Sequence, residues 1–149
     1  MKNKLMQKSV AMANELDVAG EFLYSALEKI NKMSNYTQVG DDFFVLYHLA
    51  VGFERIQKVL LIIINDISDD DINDFLKGIK HHNHSQLQNK INEKCRISFS
   101  KEQNNMLKLL SEFYNVERYK RLDFIQYDFD DKNMVIDFIR IIVLTLVVT

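Results

Sequence analysis

The segment from about Asp41 to Asn65 constrains this chain most, because it is apolar almost all round. Phe43, Phe44, Leu46, Leu49, Val51, Phe53, Ile56 and Val59 recur at helical spacing, and Leu60 to Ile64 extend the run. Its β-branched end suits a strand by propensity, but the spacing ahead of it is helical, so the whole segment reads as one helix. A helix without a polar face must be enclosed by other elements. The chain is therefore expected to build a bundle around it.

The neighbours can be read from their own stripes. From about Asn3 to Met33, Leu16, Gly20, Leu23, Leu27 and Ile30 repeat at steps of four and three, widened by Met12, Ala19, Phe22, Ala26 and Met33. Glu21, Glu28, Lys29 and Lys32 lie mostly opposite, which predicts an amphipathic first helix. Ser34 to Gly40 is polar and without period, and reads as a connection. Gly20 and Gly52 each cost roughly 1 kcal/mol inside a helix, and close helix–helix approach is the plainest reason to keep them. The acidic run Asp69, Asp70, Asp71 and Asp74 suits the start of a short helix through Lys80. It lacks the alternating ligands, central glycine and closing glutamate of a calcium loop.

Ser85-Gln86-Leu87-Gln88 and Ser100-Lys101-Glu102-Gln103 both match the reciprocal cap of a helix start. They predict helices from about Gln86 to Cys95 and from about Lys101 to Leu122, the latter burying Met106, Leu109, Leu110, Phe113 and Val116. A last element spans about Lys132 to Val148. The expected fold class is all-α, an up-and-down helical bundle of five or six helices in a single domain, 1–149. The 149 residues contain no proline and four glycines, too few for the many tight turns of a β-sandwich or barrel.

The formal net charge of -2 gives no global attraction to nucleic acid or to an anionic membrane. The one cysteine, Cys95, cannot close an internal disulfide, which fits a reducing, cytoplasmic setting. The apolar run Ile141 to Val148 is far shorter than the ~20 residues of a membrane span, so no membrane contact is expected. The run stops at Thr149 without a closing cap, which leaves open a chain continuing beyond it. No Gly-rich phosphate loop, serine elbow or Cys–His nucleophile pattern occurs, and no cofactor is expected.

Three polar groups interrupt the apolar plan. On the central helix stand Tyr47, His48, Glu54, Arg55 and Lys58, with Glu54 and Lys58 spaced to pair on one face. This is either a structural ion pair or a ligand-facing group. His81-His82-Asn83-His84 offers three imidazoles, but neither the helical His pair nor the Cys/His set of a zinc site is present. Asn83 or Ser85 suits the cap of the next helix, and no metal is expected. In Tyr114-Asn115-Val116-Glu117-Arg118-Tyr119-Lys120-Arg121, Tyr114, Arg118 and Arg121 share a helical face. That face suits either structural pairing or the gripping of a phosphate and stacking of a base.

These groups, in this order, resemble a set of bacterial HEPN-like proteins. The resemblance rests on Gly52-Phe53-Glu54-Arg55-Ile56-Gln57-Lys58, on His82-Asn83-His84-Ser85-Gln86-Leu87, on Phe113-Tyr114-Asn115-Val116-Glu117-Arg118-Tyr119-Lys120-Arg121, and on Glu15-Leu16 with Ala19-Gly20 and Phe22. It covers roughly Glu15 to Asp123 and implies a helical bundle, often a homodimer. It also implies a setting among RNA-cleaving toxins, abortive-infection proteins of phage defence and nucleotidyltransferase partners. Ribonuclease members carry an arginine followed, a turn or slightly more along, by a histidine. Here the positions after Arg118 hold Leu122, Asp123 and Phe124, so the proton-transfer partner of such a site is missing locally.

The leading expectation is a non-catalytic module for RNA, a nucleotide or a protein partner, working through Glu54, Lys58, Asn83, His84, Arg118 and Arg121. A second is an atypical metal-independent ribonuclease toxin using Arg118 with His82 or His84. A third is a structural module that dimerises through an apolar helix face. The distance from His82 or His84 to Glu54 or Arg118 separates a shared site from a likeness of fold alone.

Overall fold

The computed structural model describes residues 2–33, 39–68, 70–120 and 131–147. Six helices and no strand occur among the described residues: α1 (Lys2–Lys32), α2 (Val39–Ile64), α3 (Ile72–Gly78), α4 (His84–Cys95), α5 (Lys101–Glu112) and α6 (Asp131–Val147). The chain is thus an all-α bundle. From the end of α5 the backbone continues through a π-helical turn, Phe113–Glu117, into Arg118–Lys120. The expected connection Ser34–Gly40 lies mostly outside the described residues, and Val39 and Gly40 already belong to α2. Asp69 is also outside them.

The near-continuous apolar surface of α2 makes it the centre. It packs on α1, α4, α5, α6 and the π turn. The main core joins Ala26 of α1, Val45, Leu46, Leu49 and Ala50 of α2, Leu110 and Phe113, and Val135 and Phe138 of α6. A smaller core joins Leu61, Ile79, Leu87 and Ile91 under α3 and α4. Each fully buried side chain of this size contributes roughly 1.5–3 kcal/mol.

The stripe on α1 is turned from its expected position. Ala19 and Ala26 are fully buried, whereas Leu16 and Leu27 are 44% and 51% exposed. Two overlapping arcs on α1 satisfy a three–four spacing, and the arc with small residues is the one that faces α2. Gly52 explains why. A Cβ there would sit 2.7 Å from Leu23 and 3.2 Å from the Ala19 carbonyl, so the helices are in close approach at this point. Gly20, in contrast, has nothing within 4 Å of the position of a Cβ, so the same explanation fails for it.

The caps divide as well. At Ser100 the box is complete: Gln103 N–H donates to Ser100 Oγ at 3.2 Å and Ser100 N–H donates to Gln103 Oε1 at 2.9 Å. At α4 the cap is Asn83, whose Oδ1 accepts from Gln86 N–H at 2.9 Å, and Ser85 lies within the first turn. The π turn corrects the last part of the expected Lys101–Leu122 helix. Its extra residue rotates the following face, so Val116 is 47% exposed and Glu117 is buried instead. Leu122 lies outside the described residues. No helix among them is long and apolar enough to cross a membrane.

Candidate functional site

Glu54 sits where α2 passes the loop ahead of α4, and the fold brings two of the three polar groups into contact there. Its Oε2 accepts from His82 Nδ1 at 2.8 Å, and its Oε1 accepts from Lys58 Nζ at 2.6 Å. Glu54 is buried, while the His82 side chain is 43% exposed. A carboxylate bonded to Nδ1–H leaves Nε2 of a neutral ring as a lone-pair acceptor. That is the arrangement by which proton-transferring histidines are oriented. Asn115 holds the loop in place, donating from Nδ2 to the His82 carbonyl at 3.1 Å.

The third group joins through ring contacts. The His82 and Tyr114 ring centroids are 4.7 Å apart. The Arg118 guanidinium lies 3.8 Å from the centre of the Tyr114 ring and 4.5 Å from that of Tyr119, and it donates to the Tyr119 hydroxyl. The planar groups thus follow one another as neighbours, a column in sequence of contact though not of parallel planes, Tyr119–Arg118–Tyr114–His82, with the last two rings tilted by 46° and Glu54 bonded to His82. Tyr47 lies alongside, stacked on Tyr114 at 5.9 Å. Burial pushes the Tyr114 phenol up, against the opposing pull of Arg118, so the ring stays neutral. The π turn is what aims Tyr114 inward with Phe113 while Arg118 stays within reach of it. Such turns are frequent at functional sites.

His84 is in the same loop but has a different task. It is fully buried. Nε2 meets the Ala50 carbonyl at 2.8 Å, and Nδ1 lies 3.4 Å from the Ser111 hydroxyl. Its backbone N–H donates to the same hydroxyl at 3.0 Å, and its carbonyl accepts from Gln57 Nε2 at 3.0 Å. These bonds tie α2, α4 and α5 together and fix the ring as the neutral Nε2–H tautomer. Desolvation, the largest influence, lowers its pKa below the usual histidine range. Burial and the nearby Lys90 and Lys58 charges also lower that of His81.

Of the expected site residues, Glu54, Lys58, His82 and Arg118 therefore share one region. His84 and Asn83 hold the scaffold, one as a buried strut and the other as a helix cap. Arg121 lies outside the described residues. No group of three metal-ligating side chains occurs among the described residues.

A cleft of about 850 Å³ opens beside the column, between α1, α2 and α3. Tyr47, Glu54, Lys58, His82 and Tyr114 line one part of it. The wall contributed by α1, including Met12, Glu15 and Phe22, was not marked as functional by its sequence. Glu15 pairs with Arg55 across the helices, a contact between residues forty positions apart that no local pattern announces. Comparison with protein-family models, with curated proteins and with solved structures returned no match.

Proposed function

We propose that this chain is a HEPN-like module that binds single-stranded RNA or a nucleotide on the Tyr119–Arg118–Tyr114–His82 column. The observation that carries the reading is the Arg118 guanidinium, 3.8 Å from the centre of the Tyr114 ring and 4.5 Å from that of Tyr119. Its Nε is buried and one terminal N–H goes to the Tyr119 hydroxyl, so the other terminal N–H groups are the ones offered to a phosphate oxygen. Tyr119 is 58% exposed, which leaves ring surface on which a base can stack. Aromatic stacking tolerates any base, which suits recognition of a single strand without regard to sequence.

Fluorescence anisotropy with labelled uridine-rich and adenosine-rich RNA at low salt tests this. Wild type binds, and Tyr119→Ala and Arg118→Ala each weaken binding by about 1–3 kcal/mol, the size of one lost stacking contact. No binding by wild type removes the reading. The Glu54–His82 hydrogen bond favours one second reading, a metal-independent ribonuclease with His82 as proton acceptor. The same RNA, incubated with a chelator and resolved on a gel, distinguishes them. Cleavage lost in His82→Gln supports catalysis, and intact RNA supports binding alone.

A further inference from the structure

Arg118 stands in the column with part of its hydrogen bonding already committed. A guanidinium has donors only. Its Nε–H is buried and meets no acceptor among the described residues, so an incoming phosphate must use the terminal nitrogens. One of these, Nη2, donates to the Tyr119 hydroxyl. Tyr119 is the next residue in the chain, within the short helical turn Arg118–Lys120. Its ring centre lies 4.5 Å from the guanidinium, and it is the ring on which a base would stack. One side chain therefore bears on both halves of a nucleotide: its ring offers a surface to the base, and its hydroxyl holds a donor that the phosphate needs.

The bond is of a kind that a phosphate displaces. The hydroxyl is a neutral acceptor and takes a single N–H. A phosphate oxygen is charged, and phosphate accepts a pair of parallel N–H bonds from a guanidinium. The two tyrosines beside Arg118 also differ in freedom. Tyr114 is buried and fixes the seat of the guanidinium from one side. Tyr119 is exposed, and exposed side chains change rotamer within picoseconds to nanoseconds. Displacement thus moves Tyr119 and leaves Arg118 in place.

We propose that the Tyr119 hydroxyl is a latch on Arg118. It occupies the arginine in the free protein, a phosphate oxygen replaces it, and the released ring turns to meet the base. Phosphate and base are then taken together, and a free base or a free phosphate gains only half of the exchange. The inference rests on the RNA reading of the column and adds a regulation of that site. A latch lowers the apparent affinity by the fraction of molecules in which Arg118 is released.

Tyr119→Phe tests it, because the ring stays and the acceptor goes. At an exposed position the substitution leaves the fold intact. In anisotropy titrations with uridine-rich RNA, Tyr119→Phe binds about three- to tenfold more tightly than wild type, the effect of removing one competing hydrogen bond. A better stacking ring would also raise affinity, so the same bases are offered on a strand with uncharged methylphosphonate linkages. There the advantage of Tyr119→Phe disappears, since no charged oxygen competes with the hydroxyl. RNA binding by wild type with no gain in Tyr119→Phe overturns the latch and leaves the RNA reading standing. A gain that persists on the uncharged strand also overturns it. No RNA binding by either form removes both.

Discussion

His82 and His84 are separated by one residue and have opposite fates. The sequence marks the cluster His81–His84 as unusual, but three imidazoles in a row carry no sign of which one is buried. Tertiary placement decides. Asn83 caps α4, which turns His84 inward under Ala50 and leaves His82 outward on Glu54. A pH dependence follows for His84. Its folded-state pKa lies below the usual value of about 6.5, so the unfolded chain binds the proton more tightly. The stability it contributes is then fully present above about pH 6.5 and is lost as pH falls from there towards the folded-state pKa. His81, also lowered, acts in the same direction. Urea midpoints should therefore drop between pH 7.5 and pH 5.5. His84→Gln should be less stable at pH 7.5, having lost the strut, and should show a smaller drop. A variant with the wild-type pH dependence would assign the effect to another group.

At the scale of elements, the periodic patterns located the helices to within a few residues, because amphipathic spacing and the Ser100 cap are local signals. They did not locate the contact faces. Those depend on which arc of α1 lets α2 come close, and that is decided jointly by Gly52, Leu23 and Ala19. The π turn at Phe113–Glu117 was equally unreadable, since one extra residue in a turn leaves the composition of the helix unchanged. The two helical glycines convert this into a contrast of sign. Gly52→Ala forces a methyl against Leu23 and the Ala19 carbonyl, and overpacking of this kind destabilises by about 1–3 kcal/mol. Gly20→Ala meets no neighbour and gains helix propensity, stabilising by up to about 1 kcal/mol. Chemical denaturation of the two variants beside wild type measures both. Equal shifts of the same sign would mean that α1 and α2 do not meet at Gly52.

For the whole molecule, the three polar segments were legible as a set and in order, but their meeting was not. Glu54, His82 and Arg118 are brought together only when α2, the loop before α4 and the π turn fold against one another. The same folding consumes most of the nearby charge. Glu54 is paired with Lys58, Glu15 with Arg55, and Glu117 with Lys120 at 2.5 Å. With a net charge of -2, the molecule has little long-range attraction for a polyanion, so RNA affinity must come from stacking and a few direct contacts. Each phosphate contacted on a single strand contributes about -0.7 to the slope of log affinity against log salt. Arg118 with one further cation predicts a slope between about -0.7 and -1.4. The Arg118→Ala variant should lose about one phosphate's share of it, whereas Tyr119→Ala should weaken binding at every salt concentration without changing the slope. Anisotropy titrations from low to moderate salt measure all three. A wild-type slope of about -4 or steeper would require five or more neutralised phosphates. The binding surface would then be a basic face elsewhere on the chain rather than the tyrosine–arginine column.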